Sequence, residues 1–193
     1  MLTVTRQRDK MLFTILGLLA GLTAAQNSTK PQAFGLFSDN AIYWADSNHT
    51  IFYPRITELS DGTILATGGL NSNPDVFPIF SSSDGGASWT WISNLTDQVN
   101  GLGMNAQPAI AELPFAVGKW PAGTVLASGN SWSGIPRNGT GAPVNQGRNS
   151  NATIIDLYAS TDKGKTWKFV SNVARGSAPS TRNGVPCIWE PFI

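Results

Sequence analysis

Ser82-Ser83-Asp84-Gly85-Gly86-Ala87-Ser88-Trp89 decides how this chain is read, because the pattern returns as Ser160-Thr161-Asp162-Lys163-Gly164-Lys165-Thr166-Trp167. Both stretches read S-x-D-x-G-x-[ST]-W. An Asp in this setting can accept hydrogen bonds from backbone N–H groups two or three residues further on. Gly86 and Gly164 supply the left-handed backbone that such a turn needs. The hydroxyl residue starts the next strand, and Trp89 or Trp167 packs its ring beneath the turn. The motif therefore closes a β-hairpin. Ser82, Asp84, Gly86, Trp89, Ser160, Asp162, Gly164 and Trp167 are expected to be structural rather than catalytic.

Outward from these turns the chain repeats itself. Tyr53-Pro54-Arg55-Ile56 leads through Asp61-Gly62-Thr63-Ile64-Leu65-Ala66 and Val76–Ser83 to the first motif and then Trp89–Ile92. Gln107-Pro108-Ala109-Ile110 leads through Gly123-Thr124-Val125-Leu126-Ala127 and Thr153–Ser160 to the second motif and then Trp167–Val170. Each run is short, β-branched or aromatic, and bounded by Gly, Asp or Asn, which is the pattern of successive hairpins. Glu190-Pro191-Phe192-Ile193 starts the unit a third time. Four-stranded units repeating at this length are propeller blades. The expected fold is all-β: blade 1 over about 51–93, blade 2 over about 105–172, and the first strand of a third blade at 185–193. Two blades cannot close a ring and would leave two long sheet edges open. The sequence is accordingly expected to be the N-terminal part of a longer propeller. The second unit carries an insertion in its Gly/Asn-rich segment 128–151, read as a loop or, with Trp132 and Arg137 in it, as a substrate-facing flap.

The composition agrees with a loop-rich β protein: 41% of the 193 residues are hydrophobic and 13% charged, with 20 Gly and 12 Pro. A formal charge of +1 without clustered Lys and Arg gives no nucleic-acid footprint. Arg6, Arg8 and Lys10 precede an apolar run, Met11–Leu22, and the small residues Thr23-Ala24-Ala25. Residues 1–25 thus read as a secretory signal peptide, and the apolar run falls short of the roughly 20 residues that span a bilayer. Its removal leaves 10 basic against 11 acidic side chains, a formal charge of −1. Five N-x-[ST] triplets, at Asn27, Asn48, Asn94, Asn138 and Asn151, fit a secreted extracellular glycoprotein. Cys187 is the only cysteine, so no internal disulfide is expected.

The repeat alignment narrows the search for chemistry. Tyr53, Gln107 and Glu190 occupy one position in three successive units, each before the Pro of the innermost strand. That strand lines the tunnel of a propeller, so the three are candidates to face one pocket, with Arg55 on the same side as Tyr53. Glu190 stands out. In Val185-Pro186-Cys187-Ile188-Trp189-Glu190-Pro191-Phe192 its carboxylate is expected to be partly desolvated, with capping of a backbone N–H as the competing role. Trp189 is a candidate sugar platform. Trp44, Trp120 and Trp132 are read first as blade-packing residues and second as stacking surfaces. His49, the only histidine, falls inside a sequon and reads as a loop residue. Asp39, Asp46 and Asp61 read as turn acids. Metal-ligand spacing is absent, and neither a metal nor another cofactor is expected.

The two motifs are Asp-boxes, and the chain resembles the Asp-box (BNR) β-propellers of the sialidase-like glycosidases. The W-E-P-F stretch, the Y-P-R-I opening and the Asp-boxes behind a signal peptide look like the secreted fungal exo-arabinanase family of six-bladed glycosidases. That resemblance implies release of arabinobiose from the ends of α-1,5-linked arabinan by two carboxylates with retention of configuration. It makes Glu190 the nucleophile, Tyr53, Arg55, Gln107 and Trp189 the substrate-binding residues, and places the general acid/base beyond Ile193. An oligo- or polysaccharide partner and a monomer without membrane insertion are implied as well. Sialidases are the nearest alternative, with Arg55 in Pro54-Arg55-Ile56 standing in for their first substrate-binding arginine. A non-catalytic propeller that binds glycan or protein is the other.

Overall fold

The β-branched and aromatic runs between Gly- and Asp-rich turns form eight strands. The computed structural model describes residues 41–132, 152–177, 184 and 188–193, all within the unit Phe37–Ile193. The signal segment, Asp39, Asn27, Arg137, Asn138, Asn151 and Cys187 lie outside the described residues. The strands are β1 (Ile51–Glu58), β2 (Ile64–Leu70), β3 (Phe77–Ser82), β4 (Thr90–Leu95), β5 (Met104–Glu112), β6 (Val125–Ser131), β7 (Ala152–Ser160) and β8 (Lys168–Ser177). They make two four-stranded antiparallel sheets, ordered β1-β2-β3-β4 and β5-β6-β7-β8. Each is a propeller blade whose strands follow chain order, and helix is absent from the described residues. None of them forms a helix long and apolar enough to cross a membrane.

The blades pack face to face, with β5 against β1 and β2. Leu59, Leu65, Phe77, Ile79 and Leu95 of the first meet Met104, Val125, Ala127 and Tyr158 of the second in one buried cluster. Polar contacts fix the rims. Ser60 donates to Glu112 through its backbone N–H at 2.6 Å and its hydroxyl at 3.1 Å, and Lys163 pairs with Asp61. In the connection between the blades, Asp97 accepts from the backbone N–H groups of Val99, Asn100 and Leu102 and from the Ser131 hydroxyl. Burial pushes the Asp97 carboxyl up, but these donors outweigh it and hold it below the ordinary carboxylate range. Asp156, wholly buried opposite, accepts from Asn100 and Asn172, and burial pushes its carboxyl up. Asp46 and Asp61 cap turns as expected: Asp46 accepts from the N–H groups of Asn48 and His49 and from the His49 ring, and Asp61 from that of Thr63.

The Asp-box turns are built alike. Asp84 and Asp162 accept from backbone N–H groups four residues on, those of Ser88 at 2.9 Å and Thr166 at 2.8 Å. The same acids take the Ser88 and Thr166 hydroxyls at 2.6 Å. The nearer glycine N–H goes to the leading serine: Gly86 to Ser82 and Gly164 to Ser160, both at 2.8 Å. Each carboxylate also takes the backbone N–H three residues on, that of Ala87 or Lys165, so it covers the expected turn and reaches one residue further. Trp89 Nε1–H closes its turn onto the Gly86 carbonyl, whereas Trp167 Nε1–H reaches across to Ser93 in blade 1.

These donors depress the Asp84 carboxyl, the Ser88 hydroxyl first, to about 2 from an ordinary 3.8. A folded-state value below the unfolded one means a stabilisation present in full above the unfolded value and lost as pH falls from about 4 towards 2. Asp84→Asn is therefore expected to lower the melting temperature at pH 7 and to lose most of that effect near pH 2. Thermal melts at the two pH values check it, and a decrement equal at both would show that the charge is not the cause.

Candidate functional site

Antiparallel order sorts the two ends of the blades. The Asp-box turns lie where β1 and β5 finish, and residues 71–76, 97–103 and Trp132 lie where they begin. Tyr53 and Gln107 sit at that second end. The Asp-boxes thus lie at the opposite end of the blades from the aligned polar positions.

Tyr53, Gln107 and Glu190 share a backbone state the sequence does not announce. All three are left-handed, with φ of 53°, 57° and 51°. The strands of Tyr53 and Gln107 break register there, between Phe52 and Arg55 in β1 and between Ala106 and Ala109 in β5. A left-handed residue other than glycine carries roughly 1–3 kcal/mol of strain and survives where its surroundings over-determine it, as at functional sites. Lys163, in an Asp-box, is the only other such residue among those described.

Around Glu190 the determinants are visible. Its N–H donates to Gln107 Oε1 at 3.1 Å, and Gln107 Nε2–H reaches Glu190 Oε1 at 3.5 Å. Gln107 Oε1 also accepts from Asn130 Nδ2–H at 2.6 Å. Glu190 shares a cleft of about 370 Å³ with Arg55, Ile56, Ala109, Ile110 and Pro191–Ile193, and it is the only carboxylate among those lining residues. Arg55 is exposed, and its guanidinium donates to the neighbouring Pro54 carbonyl rather than to an acid. Trp189 stands edge-on to Trp132, their ring centroids 5.4 Å apart. A larger groove of about 510 Å³ between Ala41–Tyr43 and β1 is apolar and lacks a carboxylate.

Gln107 is only 4% exposed, and its amide is engaged by Asn130 and Glu190. Glu190 is exposed, so the desolvation expected from its apolar neighbours is absent. Residues 188–193 have no ladder partner among the described residues. Tyr53 is 44% exposed beside Phe52 and outside the cleft lining. Trp44 is solvent-exposed, and Trp120 carries Lys119 over its ring at 5.0 Å. Asn130 escaped sequence reasoning; its only signal is that the repeat puts Gly69 at the same place in blade 1. Groups of three or more His, Cys, Asp or Glu able to hold a metal are absent among the described residues.

Two Asp-box blades with a carboxylate on a bent inner segment define a sialidase-like propeller of the glycosidase type. Solved structures agree in sequence as well as in fold. The chain is similar to the GH93 α-L-arabinofuranosidase of Fusarium graminearum, solved with arabinobiose: 41% identity, TM-score 0.66, over 76% of this chain and 39% of that one. It is similar also to the α-L-arabinanase of Penicillium chrysogenum, likewise solved with arabinobiose: 36% identity, TM-score 0.69, over 78% and 40%. The chain thus spans about two fifths of the length of these enzymes and is arabinanase-like over that stretch. No family model matches the chain, and no curated protein does.

Proposed function

We propose that the protein is a secreted, monomeric glycoside hydrolase that acts on arabinan, releasing arabinobiose from α-1,5-linked chain ends with retention of configuration. The observation that carries this reading is Glu190. It is an exposed carboxylate fixed on a left-handed bend in a cleft, in a chain 41% identical to an arabinofuranosidase solved with arabinobiose. Gln107 holds Glu190 from behind through its N–H and one carboxylate oxygen, leaving the other oxygen for an anomeric carbon. A nucleophile needs this fixed approach. Retention requires a second carboxyl group about 5–5.5 Å away to protonate the leaving oxygen and then activate water. A second carboxyl group is not among the described residues that line the cleft. Arg55 and the Trp132–Trp189 pair are the groups placed to orient a sugar.

Arg55 supports a second reading, because an exposed guanidinium that makes no ion pair among the described residues suits an anionic sugar. The full-length protein is to be assayed on debranched arabinan and on a sialoside side by side. Arabinobiose alone is the expected product. Sialic acid would move the assignment to sialidase, and cleavage of neither would leave a glycan- or protein-binding propeller.

A further inference from the structure

We infer that Asn130 is a positioning residue for Glu190, acting through the amide of Gln107. The inference rests on reading Glu190 as the nucleophile. Asn130 is wholly buried on β6, and its Nδ2–H donates to Gln107 Oε1 at 2.6 Å. The Glu190 N–H donates to the same oxygen at 3.1 Å. These two donors settle which way round the Gln107 amide sits. With Oε1 between them, Nε2 is left to face the Glu190 carboxylate, 3.5 Å away. The reverse arrangement would set donor against donor on one side and a carbonyl against a carboxylate on the other.

Two observations separate this role from plain packing. Asn130 Oδ1 is buried without a hydrogen-bond partner among the described residues, a standing penalty that a side chain chosen only to fill space would avoid. The equivalent strand of blade 1 has Gly69 at this position and pairs equally well, so the blade does not need an amide there. What stands in front of the asparagine is Gln107, the blade 2 counterpart of Tyr53.

The test uses the full-length protein on linear α-1,5-arabinan, with Glu190→Gln alongside. Asn130→Asp keeps the shape but offers acceptors, which turns the Gln107 amide around and its carbonyl towards Glu190. A fall in kcat of about 100-fold with KM little changed is expected. Asn130→Gly, which copies blade 1, covers the case in which a buried charge unfolds the protein. Its expected loss is about tenfold, that of one orienting hydrogen bond. Combined with Gln107→Leu, neither change should reduce kcat further, because no amide remains to orient. Wild-type kcat in both Asn130 variants, with Glu190→Gln inactive, overturns the positioning role alone. Losses that multiply with Gln107→Leu make Asn130 a packing residue. An active Glu190→Gln overturns the nucleophile reading and this inference with it.

Discussion

Glu190→Gln is expected to lower kcat on arabinan by at least about 10⁴-fold, the scale on which loss of a nucleophile acts. The substitution is nearly isosteric. The backbone N–H of residue 190 still finds Gln107 Oε1, and the new side-chain carbonyl can still accept from Gln107 Nε2–H. The residue is exposed, so the core is untouched and the melting temperature should stay within a degree or two. On the proposed mechanism, what is lost is the negative oxygen that attacks the anomeric carbon. The two carboxylate roles are separable by chemistry. In Glu190→Ala, azide can enter the vacated space and attack from the same face while the acid/base still protonates the leaving oxygen. One displacement then gives a glycosyl azide of inverted configuration. A retained azide would make Glu190 the acid/base, and near wild-type hydrolysis without azide would remove it from the chemistry.

How much of this was legible in the sequence depends on which physical term decides each feature. The blades were legible because hairpin turns are local: the two S-x-D-x-G-x-[ST]-W stretches and the alternating runs between them carry their own instructions. The alignment of Tyr53, Gln107 and Glu190 was legible for the same reason, and the structure returns it as one left-handed bend made three times. The state of each side chain was not, because it is set across strands. Gln107 is buried by its partnership with Asn130, a neighbour contributed by β6, and Glu190 is exposed although its sequence neighbours are apolar. Even the Asp-box wiring is shared, since Ser82 and Ser160 take the glycine N–H and the acids take those further on. Local chemistry names the candidates here, and long-range contacts assign their roles.

Gly69→Ala should destabilise the protein by about 3 kcal/mol, at the upper end of what overpacking costs. A Cβ at Gly69 would lie 2.3 Å from the backbone carbonyl oxygen of Asn105 and 3.0 Å from the Phe52 ring. The ring can turn away, but the carbonyl cannot. It belongs to β5, whose start is fastened to blade 1 by Met104 N–H on the Asp75 carbonyl at 2.9 Å and by the Asn105 amide on the Asp75 carboxylate. The added methyl must therefore push β5 against its own fastening. Gly129→Ala is the informative contrast: its Cβ would meet the Phe77 ring at 2.2 Å, a closer clash but with a side chain. Trimming Phe77→Leu should recover much of the Gly129→Ala loss, after correction for the cost of Phe77→Leu alone. Phe52→Leu should recover little of the Gly69→Ala loss. Gly62→Ala, with open space around its Cβ and φ of 83°, isolates the backbone strain common to a left-handed glycine, about 1–2 kcal/mol. Urea melts of the three alanine variants and the two double variants measure these terms. If Phe52→Leu rescues Gly69→Ala, the clash is with the ring, and the close approach of the two blades is adjustable rather than fixed by backbone. If it does not, displacement of Asn105 also reaches Gln107 two residues on, and kcat should fall together with stability.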